Sequence, residues 1–513
     1  MIKYQQVALV SIPKQDLIRP PAALPILAAI CEDVGCDYSV YDLNLWLYRN
    51  MDRRTWHEVN DNWMKIDSVA DTDQLFFKSF QEWLDKFVSN MLMSKPDLVA
   101  ISVFTHWSSH CACELVSAIK KQDANVKIVI GGSGINGVVE KITGNMMISD
   151  WLLQQGLLDY YIHGEGELLF KNLLLGQDSG PGLNNHSFTQ IDNLDQFTYP
   201  SYNKIDPSVY EYIASPSVMI NGSRGCVRHC TYCDVSRYWP KFRYKSGNII
   251  AEEIYHTWQQ TGIVSYEFSD SLINGSIKEF RKMNQRLVEL KQQNKDFQIE
   301  YKGQFICRSP GQFKETDYHL MSEAGCNYLY VGVETFSESV RYDMDKKFDN
   351  LALDFHLRMC ARYGIPNVFL MIVGYPTETQ EDHKKNLQGL KQYQVYAQSG
   401  VIEMITFGFT TSIIKDTPLY MLQESLGIVP EFEHLKNNND YNSNWISLKN
   451  ADLTFNERVK RWVELTELAN ELGYQQSRIN AIVKRLEQQM LQIGNQRKQI
   501  IPIKVSIGQN DLC

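Results

Sequence analysis

The 513-residue sequence contains no uninterrupted apolar stretch of about eighteen residues, so no segment reads as a membrane-spanning helix. Its N-terminus, MIKYQQVALVSIPK, has an apolar run too short for a signal peptide before Lys14 and Asp16. Positive charge is also in short supply: 51 Lys and Arg against 60 Asp and Glu leave a net charge of -9. That balance argues against general nucleic-acid binding through a diffuse basic field, though a local basic groove stays open. The eleven cysteines are odd in number and scattered, unlike the disulfide framework of a small secreted domain. A cytoplasmic chain with no membrane partner is expected. A glycine-rich phosphate loop is missing as well: PKQDLIRPP follows the first apolar run where a dinucleotide fold would place GxGxxG.

What is present is an ordinary globular composition, 44% hydrophobic and 22% charged, in a chain too long for a single core. Residues 7–12, YSVYDLN, PDLVAISVFT, VKIVIGG and LDYYIHGEGE read as strands alternating with helices. Continuous apolar strands between helices imply a parallel sheet covered on both faces, a doubly wound α/β domain that binds ligands at its carboxyl strand ends. Those ends carry Thr105, Gly131, Gly132 and Gly164. The bland reading of each glycine is a tight strand-to-helix turn. A helical insertion is expected near 45–95, and the Gly, Asn, Ser and Pro-rich stretch 181–215 reads as a linker.

From Ser217 a second series begins, with strands in SVMING, VSYEFSD, FQIEYKG, NYLYVGVET, NVFLMIVG and VIEMITFGF, each but the last leading into a helix. Six such units imply a partial (β/α)6 TIM-like barrel over 216–410. Ser276 followed by Glu279 suggests a capping box, and Phe280, Met283, Leu287 and Leu290 form the apolar stripe of the helix behind it. Residues 411–513 read as a helical C-terminal region, with FNERVKRWVELTELANELGY and QQSRINAIVKRLEQQMLQIG both amphipathic.

The sharpest chemistry lies in NGSRGCVRHCTYCDVSRYWPKFRYKS, where Cys226, Cys230 and Cys233 fall within eight positions directly after the first strand of the second series. In a βα barrel that is the catalytic rim. A spacing of three residues and then two lets one loop wrap a four-iron cluster with three thiolates, leaving one iron open for chemistry. A zinc knuckle using His229 as fourth ligand is the structural alternative, but no second CxxC pair appears. An all-cysteine ferredoxin site would need a fourth thiol.

These residues, with YEFSDSLING, AGCNYLYVGVETFSESV and GIPNVFLMIVGYPTET in order behind them, resemble the radical S-adenosylmethionine (SAM) enzymes. PPAALPILAAICEDVG, DLVAISVFT, VKIVIGG and DYYIHGEGE resemble the N-terminal cobalamin-binding-like domain of one subgroup, so the resemblance spans roughly residues 5 to 410. It implies a cobalamin-binding-like Rossmann domain over 1–180, the linker, a radical SAM barrel over 216–410 and the helical region 411–513. It also implies a 4Fe-4S cluster on Cys226, Cys230 and Cys233 that cleaves SAM to a 5'-deoxyadenosyl radical. Tyr232 matches the residue beside the adenine. Ser269 and Asp270 lie where the methionine amino group is held, although the common Gly-Gly-Glu is absent. Arg308 would pair with the methionine carboxylate, or be a solvated loop arginine. Glu334 matches a position near the ribose or amino group, and Gly374 would leave space for the cofactor backbone.

The DxHxxG motif of base-off cobalamin proteins is absent. If cobalamin binds without a protein axial ligand, it is expected near Thr105, Gly131, Gly132 and Gly164. The implied function is a cobalamin-dependent methyltransferase acting on an unactivated carbon of an unidentified substrate, supplied with electrons by a flavodoxin or ferredoxin. The alternatives are a radical SAM rearrangement, cyclisation or oxidation without cobalamin, and a non-catalytic metal-binding module.

Overall fold

The structure, a computed structural model, describes residues 2–13, 17–62, 74–210, 216–408, 410–432 and 442–476. The second amphipathic segment expected in the C-terminal region lies, after its first two residues Gln475 and Gln476, outside the described residues.

Five strands form the first sheet: β1 (Gln6–Ser11), β2 (Asp37–Asp42), β3 (Leu98–Ser102), β4 (Lys127–Gly131) and β5 (Tyr160–Ile162). Their order is β2-β1-β3-β4-β5 and every pairing is parallel. Helices pack on the sheet: on one face Val10, Val99, Ile101, Ile128 and Ile130 share a core with Leu115, Val116 and Phe87 from the helices Ser109–Gln122 and Gln74–Leu92, and the helix Ala23–Val34 packs against β1. The doubly wound expectation is met, and the helical insertion is present as Leu43–Asn50, Arg53–Asn62 and Gln74–Leu92.

The second sheet begins with β6 (Ser217–Ile220). A two-stranded hairpin, β7 (Ser223–Arg224) with β8 (Arg243–Tyr244), follows it and brackets the cysteine loop. The sheet continues with β9 (Ser265–Phe268), β10 (Glu300–Phe305), β11 (Cys326–Glu334), β12 (Asn367–Ile372) and β13 (Ile402–Gly408), in the order β6-β9-β10-β11-β12-β13. These are the six strands expected from the βα pattern. The helix Ile277–Gln293 buries Phe280, Met283, Leu287 and Leu290 as its stripe implies. Its capping box is only half made: Ser276 accepts from the Glu279 N–H, but the Glu279 carboxylate instead accepts from the Gly247 N–H at 3.0 Å. That bond ties two neighbouring helices together, a use no local motif can announce.

The chain divides into two compact units. One comprises Met1–Val227, Tyr238–Phe305 and Phe313–Tyr328; the other comprises Arg228–Arg237, Ile306–Gln312 and the chain from Leu329 on, so the boundary crosses β11. In the second unit the helix Phe455–Glu471 is anchored by two buried arginines. Arg461 pairs with Glu378 at 3.0 Å, both side chains almost fully buried. Arg458 lies 3.9 Å from the ring centre of Trp445 and donates to the Ser443 and Leu453 carbonyls. A cation held over a desolvated indole is worth about 2 kcal/mol. No helix among the described residues is long and apolar enough to cross a membrane.

Candidate active site

In the first unit a cavity of about 320 Å³ opens at the carboxyl ends of β3, β4 and β5. Gly131, Gly132 and Gly164 line it, with Ala22, Phe104 and Phe170 among its apolar walls. Thr105 does not: its hydroxyl caps a short turn by accepting from the Trp107 N–H, and the exposed Phe104 beside it reaches the cavity instead. The polar corner comes from Asn221, Arg224 and Ser269. Ser269 was expected at the methionine amino group, but its hydroxyl accepts from Asn221 at 3.1 Å at this cavity.

Asp270, the next residue, is turned the other way. Its carboxylate accepts from the Ser223 hydroxyl at 2.5 Å and the Gly222 N–H at 2.8 Å, closing the turn after β6. Burial pushes this carboxyl up to about 7 despite those bonds. Asp270 thus serves the strand end that launches the cysteine loop, and both its oxygens are engaged by the protein.

In the second unit Glu334 ends β11 with φ 65, a left-handed conformation that a non-glycine residue adopts only under constraint. The constraint is visible. Oε1 of Glu334 accepts from Lys346 Nζ at 2.6 Å and from the Tyr232 hydroxyl at 2.8 Å, and Lys346 also donates to the Tyr232 oxygen at 3.1 Å. Lys346 and Glu334 are buried. Burial and then Glu334 hold the Tyr232 hydroxyl well above its ordinary value. Burial alone would lower the Lys346 ammonium, but Glu334, followed by Cys230, raises it. Tyr232 lies between Cys230 and Cys233, so this cluster is built into the cysteine loop itself. Lys346 was not anticipated; DMDKKF carries two adjacent lysines with no motif to mark the first.

The loop is fixed from below. The Thr231 hydroxyl meets the Tyr375 hydroxyl at 2.7 Å, and the Thr231 carbonyl accepts from the Leu419 N–H at 2.7 Å. Arg308 is buried, which removes the solvated-loop reading. Gly374 is corrected in a different sense. It has φ 71, and an added Cβ would sit 2.5 Å from Cγ and Cδ of Arg458, so the space beside its Cα is filled by that arginine.

None of Cys226, Cys230 and Cys233 is in a disulfide; Cys230 is buried and the other two are partly so. Among the described residues no group of three or more His, Cys, Asp and Glu gathers as a site for one metal ion. A four-iron cluster makes a different demand, since its thiolates bind separate irons at the corners of the cluster. Three thiols outside any disulfide on one loop, with no fourth on it, are a donor set that suits such a cluster.

A six-stranded sheet whose successive strands alternate with helices, and whose first strand feeds a loop with three thiols, is the arrangement of a partial βα barrel. Residues 220–388 match the family model described as the Radical SAM superfamily. The chain therefore carries a radical SAM domain, and such a domain takes a 4Fe-4S cluster and SAM. An uncharacterized methyltransferase of Pyrococcus horikoshii is 24% identical over 350 residues, covering 65% of this chain and 70% of its own. The anaerobic magnesium-protoporphyrin IX monomethyl ester cyclase of a Synechocystis strain is 21% identical over 330 residues, covering 60% and 62%. The fold is shared with the radical SAM methyltransferase TsrM of Kitasatospora setae, solved with cobalamin and a 4Fe-4S cluster bound. Its TM-score is 0.60 at 16% identity, over 90% of this chain and 89% of that one.

Proposed function

We propose that the protein is a cobalamin-dependent radical SAM methyltransferase acting on an unactivated carbon. The observation that carries this reading is the cavity of about 320 Å³ at the glycine-lined ends of β3, β4 and β5, in a chain that also bears the cysteine loop. When bound, the cluster supplies the electron that cleaves SAM, and cobalamin supplies a methyl carrier.

Cys226, Cys230 and Cys233 hold the cluster. Tyr232 and Lys346 fix the carboxylate of Glu334, which orients the cofactor's polar groups, and Arg308 receives the methionine carboxylate. Gly131, Gly132, Gly164 and Phe104 would line the site for the corrin, and Asn221, Arg224 and Ser269 would supply its polar corner. The wild-type chain works in the cytoplasm with an electron donor such as a flavodoxin or ferredoxin.

The test is mass spectrometry of extracts from cells carrying the native protein or its Cys230→Ala variant. One or more metabolites heavier by one methylene only with the native protein support the reading. The similarity to the magnesium-protoporphyrin cyclase favours a second reading, a radical oxidation or cyclisation. It predicts products that lose hydrogen or gain oxygen with no added methylene.

A further inference from the structure

Glu165 has no role in the reading above, yet its side chain is fully buried. It sits in the turn after β5 and lines the cavity. Four donors converge on it: the Ile191 N–H at 2.9 Å, Arg224 Nη1 at 2.8 Å, and Nη1 and Nη2 of Arg243 at 2.9 and 2.5 Å. Arg224 and Arg243 are register partners in the β7–β8 hairpin, so the two arms of that hairpin grip one carboxylate from the first sheet. Arg224 also pairs with Glu167, and Trp239 lies under both guanidinium groups at 5.7 and 5.9 Å. Two arginines and two glutamates leave the group neutral, and the Arg224 guanidinium, which burial would weaken, is raised by Glu167 and Glu165.

This clamp joins two places. Glu165, Glu167, Arg224 and Trp239 all line the cavity. Arg224 is also two residues from Cys226, and the residue between is locked: a Cβ on Gly225, at φ 80, would meet the Lys241 carbonyl oxygen at 2.7 Å. A displacement of Arg224 therefore has little slack before it reaches the first cluster ligand. A fully desolvated, multiply bonded carboxylate favours one arrangement strongly over its neighbours, because losing any partner strands a buried charge.

We propose that Glu165 is a positioning residue that couples the cavity to the cluster loop, so that filling one site changes the affinity of the other. The inference rests on the methyltransferase reading. Coupling is reciprocal and appears as a ratio of affinities, which a loss of fold stability alone does not change.

The experiment titrates hydroxocobalamin, followed by its visible absorbance, into the full chain before and after anaerobic reconstitution with iron and sulfide. The native protein is expected to bind on the order of tenfold more tightly once reconstituted. In Glu165→Gln that ratio falls towards one. Should this variant fail to fold, Arg224→Lys keeps the charge and the Arg243–Glu165 pair but loses the fork, and its ratio is also expected to fall. If neither form of the native protein binds hydroxocobalamin, the methyltransferase reading itself fails. Equal affinity in both native forms, or a ratio that survives in the variants, overturns the coupling alone.

Discussion

Lys346 and Glu334 form a buried ion pair, Nζ to Oε1 at 2.6 Å, on which the Tyr232 hydroxyl closes at 2.8 Å. The pair holds Glu334 in a left-handed conformation beside the cysteine loop. Removing one partner leaves the other charge desolvated, at a cost of about 3–5 kcal/mol. Lys346→Met is therefore expected to weaken SAM binding to the reconstituted protein by about tenfold or more, which is about 1.4 kcal/mol. Iron content should change little. Calorimetric titration with SAM beside an iron assay checks both, and Lys346→Met with Glu334→Gln should recover stability but not affinity.

Gly374 and Arg458 should be coupled. Gly374→Ala places a methyl group against the Arg458 stem at a positive φ, and overpacking of this kind costs about 1–3 kcal/mol. Truncating Arg458 to Ala removes the obstacle together with its contact to Trp445. Thermal melts of the two single variants and the double variant should show the double destabilised by less than the sum. Strict additivity would mean that Arg458 does not fill that space.

The Glu378–Arg461 pair ties the C-terminal helix to the turn after β12. With both side chains buried, Glu378→Ala is expected to destabilise the protein by about 3–5 kcal/mol in denaturant titrations. A loss under about 1 kcal/mol would place the pair among solvent-exposed ones.

Asp270 makes a pH prediction with a definite sign. Burial pushes its carboxyl up to about 7, above the ordinary value of 3.8, so the folded state holds the proton more tightly. Its contribution to stability is complete below about pH 4 and is lost as pH rises through 7, with a slope of up to about 1.4 kcal/mol per unit between. Stability measured from pH 4 to 8 should fall less steeply in Asp270→Asn than in the native protein. Equal slopes would show that Asp270 titrates normally.

The parts of the molecule legible in the sequence are those governed by local rules. Apolar runs between helices marked the strands of both sheets, and the 226, 230, 233 spacing marked the cysteine loop because the three thiols are neighbours in the chain. Three strand-end glycines, Gly131, Gly132 and Gly164, line the cavity. What the sequence hid was pairing over distance. Glu165 meets Arg224 and Arg243, and Gly374 yields its room to Arg458, through contacts that no short motif encodes. Ser269 and Asp270 are adjacent, yet one faces the cavity and the other the turn after β6. Neighbours in sequence at a strand end do not share a direction.

The most direct test of the account is anaerobic reconstitution followed by reaction of the native protein with dithionite and SAM. The account predicts a brown protein holding about four irons per chain that releases 5'-deoxyadenosine, with both signals lost in Cys230→Ala. A colourless protein that retains zinc and leaves SAM intact would contradict it.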